Sequence, residues 1–241
     1  MTTVHTYTAK FNVCCLILVL FQVLLAAGCT SLAGSENSTC NLVFKADFED
    51  GKLDQWQLTD PAAWRIEQAN GGKVLSLFKE SSYRAQVRSP FGIALVKDVV
   101  VGSFVMDLQM FSTKKDYPHR SLCLFFGHQD PTHYYYVHIA KNADPVANTI
   151  LVVDGKDRVT IAKTTSKGTE WGTDWHNVRL VRDIDKGTIE LFFDDMTKPI
   201  MTAVDHRFKA GRVGVGSFDD TGRFDNIKIH AIKSKSCPAK N

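Results

Sequence analysis

The sequence has no lasting excess of either charge, no stretch of apolar residues at helical spacing, no internal repeat and only one long apolar run. Lys and Arg number 29 against 26 Asp and Glu in 241 residues, and the basic side chains are scattered. That leaves no footprint for nucleic acid. The missing helical periodicity leaves no long amphipathic helices. Composition is otherwise that of ordinary globular proteins, 44% hydrophobic and 23% charged, and one all-β domain absorbs nearly the whole chain. The single apolar run is Val13 to Leu25, in a segment where Lys10 is the only formally charged residue. It is short for a spanning helix, and Ala26, Ala27 and Gly28 follow it directly, so residues 1–28 read as an export signal.

The ending Leu25-Ala-Ala-Gly-Cys29 is similar to a bacterial lipobox, in which Cys29 would carry the lipid, although Ala26 stands where that pattern prefers Leu. Ordinary cleavage before Cys29 or after Ala33 stays open. The expected location is therefore the periplasm, the cell envelope as a lipoprotein, or the medium, with membrane contact only through the signal or the lipid. Residues 29–40 form a flexible spacer, 41–232 the folded domain and 233–241 a tail. Six cysteines divide by place: Cys14 and Cys15 in the signal, Cys29 at the lipidation position and Cys123 alternating into an apolar strand as a buried thiol. Cys40 and Cys237 flank the domain, and a disulfide between them would join the termini in an oxidising compartment.

From Asn41 onward the chain is a succession of short β-type segments, the pattern of a two-sheet antiparallel sandwich rather than of βαβ units. The expected strands are Asn41 to Phe48, Trp64 to Gln68, Lys73 to Phe78, Arg84 to Arg88, Val99 to Phe111, His119 to Gly127 and Tyr134 to Ala140. Thr149 to Val153, Arg158 to Thr164, Trp175 to Arg182, Thr188 to Asp194, Arg212 to Ser217 and Phe224 to Ala231 complete them. Asp154-Gly155 and Lys186-Gly187 are hairpin turns. His119 to Ala140 is expected to be the middle hairpin, around which the rest is arranged.

Alternation assigns faces within it. Tyr135, Val137 and Ile139 share one side and Tyr134, Tyr136 and His138 the other, a row of rings with hydrogen-bonding tips suited to stacking on sugar. In Gly102 to Phe111 the odd-numbered Asp107 and Gln109 face away from Phe104, Met106, Leu108 and Met110. If that strand neighbours the tyrosine-rich one, Asp107 and Gln109 join the same face and supply acceptors and donors for hydroxyl groups. His128 and Arg120 lie in the hairpin region, and Arg88 flanks a connection that would reach over the face; together with Tyr134, Tyr136 and Gln109 they are the candidate ligand-binding residues. His119, His128, His133 and His138 stand within twenty residues, and His138 as base with Asp107 as its partner is the candidate catalytic pair. The competing reading of the tyrosine face is a row that packs under a loop.

Trp175-His-Asn-Val-Arg-Leu-Val-Arg182, Gly187-Thr-Ile-Glu-Leu-Phe-Phe-Asp194, Gly211-Arg-Val-Gly-Val-Gly216 and Phe224-Asp-Asn-Ile-Lys-Ile229 resemble the closing strands of concanavalin A-like (LamG-like) jelly rolls. The resemblance covers roughly Phe44 to Ala231 and looks most like the exported bacterial branch that includes the 3-keto-disaccharide hydrolase domain. It implies a sandwich with a concave, glycan-handling sheet, and its motifs describe strands and turns rather than a reaction. It also implies a place for structural calcium: with the terminal strands paired, Asp47, Glu49 and Asp225 could converge on the ion. The Glu-x-Asp-x-x-Glu strand of the retaining glucanases and the arginine- and histidine-centred patterns of alginate lyases are absent. The expected function is carbohydrate binding by an exported, monomeric domain; the alternatives are a glycoside hydrolase of the 3-keto-disaccharide type and a structural envelope protein.

Overall fold

The structure is a computed structural model and describes residues 39–233. The apolar run, Cys29 and Cys237 lie outside that range, and with them the expected signal, lipidation and disulfide. Among the described residues there is no α-helix, only one 3₁₀ turn and sixteen strands. Along the chain these are β1 (Thr39–Ala46), β2 (Trp56–Leu58), β3 (Trp64–Ala69), β4 (Gly72–Leu77), β5 (Gly92–Val96), β6 (Phe104–Ser112), β7 (Ser121–Asp130) and β8 (His133–Ala140). β9 (Thr149–Asp154), β10 (Val159–Thr160), β11 (Ala162–Thr165), β12 (His176–Asp183), β13 (Thr188–Phe193), β14 (Met201–Val204), β15 (Arg212–Ser217) and β16 (Gly222–Lys233) follow. One sheet has the order β11-β14-β13-β12-β6-β16-β4-β3 with β1 also paired to β16, and the other has the order β10-β9-β8-β7-β15-β5-β2.

All pairings are antiparallel, and the two sheets close on one apolar core. Alternation builds it. On β6 Phe104, Met106, Leu108 and Met110 are buried while Val105, Asp107, Gln109 and Phe111 are half-exposed, so the strand presents one face inward as its sequence dictates. From the other sheet Leu122, Leu124 and Phe126 of β7, Tyr135, Val137 and Ile139 of β8, and Val213 and Val215 of β15 meet it. Cys123 is fully buried, and burial pushes its thiol well above the usual range, as an inert core group. Gly187 supplies the left-handed residue, φ +69°, that the turn between β12 and β13 needs.

Three differences from the expected strands have physical causes. Arg84 to Arg88 is irregular, and β5 lies just after it. Gly-Ile-Ala-Leu-Val is buried on both sides, so it lacks the alternation that marks a half-exposed strand. Arg158 to Thr164 is two strands in two sheets, β10 on β9 and β11 on β14, because the chain crosses between layers at Ile161. β2 and β14 are too short to show a period of their own. β1 pairs with β16 so that Cys40 stands opposite Ile232, which brings the two ends of the domain together.

Candidate functional site

The β7–β8 hairpin is central in its sheet, with β15 and β9 on its two sides. Its outer face is not open. Tyr134, Tyr136, Phe125, Cys123, Ile93, Leu95, Leu151 and Val153 form a second apolar cluster, separate from the core between the sheets, with Val87 packed against it. The irregular connection between β4 and β5 covers this cluster. Ser82 fastens it by donating from N and Oγ to Asp60 Oδ2, both at 2.7 Å, and Arg88 N donates to Asp157 Oδ1 at 2.9 Å. Arg158 lies with its guanidinium 4.1 Å above the Phe218 ring and donates to Tyr136 Oη at 3.3 Å. The open tyrosine face expected from the sequence is thus corrected for Tyr136 and His138: they are roofed. Rings with polar tips look the same in a sequence whether they face water or a covering loop. Arg88 belongs to that roof, its guanidinium 5.7 Å from Phe218.

His138 is held from both sides. Its Nδ1 lies 3.0 Å from Val146 O and its Nε2 2.9 Å from Ser121 Oγ, and burial pushes its pKa down to about 4. A neutral ring donating to the carbonyl and accepting from the hydroxyl satisfies all of this. Asp107 stands on the outer face of the other sheet, where Arg179 grips it with Nε at 2.6 Å and Nη2 at 3.2 Å. The whole core separates the two, so the expected pair of His138 and Asp107 does not assemble, nor does Gln109 join the tyrosines. Gln109 instead accepts from Asn70 and Asn226 at 3.0 and 2.9 Å. Buried Arg120 donates to Ser112 Oγ and O at 2.9 and 2.7 Å, a structural tie between β6 and the start of β7. The four histidines do not converge either: His133 leans on Asp130 at 2.9 Å in the turn, and His119 on Asp144 at 3.5 Å.

Two of the expected residues do come together at an opening. His128 and Tyr134 stack with ring centroids 5.2 Å apart and planes 21° from parallel, and both line a cleft of about 270 Å³ with Tyr83, Gln57, Pro131 and Arg212. Strict alternation would have sent His128 inward with Leu122, Leu124 and Phe126. A shift of register between Phe126 and Asp130, with Gly127 at φ +57°, turns it to the outer face instead. A Cβ on Gly127 would come within 3.1 Å of the Tyr135 ring, so the bulge also needs glycine for space.

The cleft is polar in an unusual way. His128 Nδ1 and Tyr134 Oη are buried and have no hydrogen-bond partner. Burial, and then the charge of Arg212, push the His128 pKa down to about 4, so the ring is neutral near pH 7. Burial raises that of the Tyr134 hydroxyl. Arg212 donates through Nη1 to Gln57 Oε1. Sequence reasoning missed Arg212, Gln57 and Tyr83. For Arg212 a signal existed: in Arg-Val-Gly-Val-Gly the valines are core residues, which places Arg212 on the outer face. Nothing local marked Gln57 or Tyr83.

Asp47, Glu49 and Asp225 share one neighbourhood on the other side of the sandwich. Asp225 is buried, and its carboxyl is pushed up by burial and further by the negative charges of Glu49 and Asp47. It takes only amide donors, Asn70 Nδ2, Asn226 Nδ2 and Asn226 N, and pairs with no cation of the described residues. Asp47 bonds Lys45 and Glu49 accepts from Lys73 N, each at 2.8 Å. Carboxylate oxygens are the donors calcium takes, but among the described residues no three acidic or histidine side chains stand in ligating arrangement, and what reaches Asp225 directly is N–H groups. Asp220 is elsewhere, accepting from Ser121 N and Tyr117 Oη at 2.8 Å.

No family model and no curated protein matches the sequence. Solved structures do. The carbohydrate-binding module CBM66 from Bacillus subtilis is 14% identical with a TM-score of 0.53, over 73% of this chain and 96% of that one. Domain 4 of AbnA, a GH43 extracellular arabinanase from Geobacillus stearothermophilus solved with arabinotriose, is 10% identical with a TM-score of 0.54, over 80% and 93%. Lectin I from Ulex europaeus, in complex with the methyl glycoside of α-L-fucose, is 14% identical with a TM-score of 0.50, over 78% and 96%. At these identities the likeness is one of fold.

Proposed function

From the premise that the chain is a concanavalin A-like jelly roll, we propose that it binds carbohydrate in the cleft between Tyr83, His128, Tyr134 and Arg212. The observation that carries this reading is the stacked pair of rings, His128 and Tyr134, in the wall of one cleft, with their polar atoms Nδ1 and Oη buried in that wall. A folded chain gives up about 1–3 kcal/mol for each buried polar group left unpaired. A sugar offers what these two rings lack, hydroxyl groups that both donate and accept, together with an apolar ring face. The volume lies just below the range of about 300–1,000 Å³ usual for drug-sized ligands, which suits one or two sugar rings. Two neighbours of the same fold carry sugars in their solved structures. The expected catalytic pair stands on opposite outer faces, so binding without turnover is the favoured reading.

We place the chain outside the cytoplasm on the strength of its first 28 residues, and assign calcium, held by Asp225 with Asp47 and Glu49, to stability rather than to the cleft. A glycan array probed with the full chain, wild type beside Tyr134→Phe, His128→Ala and Arg179→Ala, tests the cleft. The first two variants are expected to lose binding while Arg179→Ala, on the other sheet, retains it. Equal binding by all four would move the site elsewhere, and release of reducing sugar by the wild type would make the protein an enzyme.

A further inference from the structure

Arg212 is the one charged side chain of the cleft at neutral pH, and no carboxylate lines it. Three other outer-face arginines are answered by carboxylates, Arg179 by Asp107, Arg223 by Glu67 and Arg207 by Asp205, while Arg88 and Arg158 lie against the Phe218 ring in the roof. Arg212 lies within ion-pair distance of no Asp or Glu among the described residues. Asp130, on the turn beside the cleft, has its carboxylate occupied by Thr132 and His133.

The guanidinium is also engaged on one side. Gln57 Oε1 takes Nη1, which leaves uncommitted the edge formed by Nε and Nη2, two parallel N–H groups at the spacing of carboxylate oxygens. Within this same protein Arg179 uses that edge to grip Asp107, Nε to Oδ1 and Nη2 to Oδ2. Two neighbouring hydroxyls of a neutral sugar could take these donors, but only an anion also offsets the charge, and a carboxylate does so through two oxygens at the matching spacing. We infer that the cleft selects an acidic sugar, a uronate-type glycan whose carboxylate is received by the Nε–Nη2 edge of Arg212 while its ring lies against His128 and Tyr134. This inference rests on the carbohydrate reading of the cleft and names the class of sugar within it.

The test is calorimetric titration of the full chain with oligogalacturonate, oligomannuronate and a glucuronate-containing heparosan oligosaccharide, each beside its carboxyl-reduced counterpart. One acidic oligosaccharide is expected to bind, with its reduced form weakened about 10–100-fold, the loss of a charge-assisted forked hydrogen bond. Arg212→Gln should bring the acidic form down to the level of the reduced one, Arg212→Lys should recover only part of the difference, and added salt should weaken the acidic form alone. If a carboxyl-reduced sugar binds as tightly as its acid and both depend on Tyr134, the acidic class is wrong and the carbohydrate reading stands. Failure of every saccharide, acidic and reduced, would overturn both.

Discussion

Replacing Tyr134 by Phe deletes one oxygen and leaves the ring where it is. Most such deletions in a core weaken a protein, because the lost hydroxyl was hydrogen-bonded. Here the sign is reversed. Tyr134 is 1% exposed and its hydroxyl has no partner, so folding strips it of water and returns nothing. Removing it should recover about 1–3 kcal/mol, which in a domain of this size corresponds to a melting point higher by about 2–4 °C per kcal/mol. The stack on His128 is untouched, since it depends on the ring. Tyr136→Phe is the control with opposite sign: that hydroxyl accepts from Arg158 at 3.3 Å, and its loss should cost on the order of 1 kcal/mol. Urea unfolding of the ligand-free full chain reads both, through the midpoint at unchanged slope. A lower midpoint for Tyr134→Phe would refute the reasoning, for it would mean that the hydroxyl is satisfied, with Ser89 the polar group beside it. Higher stability combined with weaker glycan binding is the outcome that separates a recognition group from a packing residue.

Acid should weaken the fold before it titrates the carboxylates. His128 and His138 are both held neutral with pKa values of about 4 against an ordinary 6.5, so between pH 6.5 and 4 the unfolded chain binds more protons and stability falls as pH drops. Each contributes on the order of 3 kcal/mol across that window; Arg158, Asp144 and His119 act on His138, and Arg212 and Asp130 on His128. His128→Gln should take away about half of the slope, and a flat profile of urea midpoints would contradict the burial argument. Calcium is expected to raise the melting point of the wild type and leave Asp225→Asn unmoved, with chelator reversing the effect; no response in the wild type would remove the ion. Gly214→Ala places a Cβ 2.2 Å from Ala94 O, so β5 and β15 must part at a cost of about 1–3 kcal/mol, read as a lower melting point with the topology retained.

The architecture was legible because it is written in short-range alternation. Phe104, Met106, Leu108 and Met110 could be assigned inward from their spacing alone, and Lys186-Gly187 marks its hairpin by the residue type that adopts the left-handed conformation most readily. What alternation cannot say is which sheet a strand joins. Asp107 and His138 each faced outward as expected, on opposite layers, and only the strand order reveals it. His128 reaches the cleft by a feature alternation does not carry: a bulge at Gly127 changes the parity of the strand after it. The roof over Tyr136 is a third kind of information, since an irregular segment of Ser, Arg and Gln carries no periodic mark of what it covers. Arg212 was legible and went unread.

The last of the described strands lies in the middle of its sheet. β16 holds β6 on one side and β4 and β1 on the other, so the nine-stranded sheet has no centre until Gly222 to Lys233 has been synthesised. Every shorter chain is left with two half-sheets whose inner edges are unpaired, and the contacts that close them span nearly the whole length of the domain, the costliest kind in chain entropy. Closure of that sheet is therefore expected to wait for the end of the domain, whereas the seven-stranded sheet, which lacks β16, needs nothing after β15.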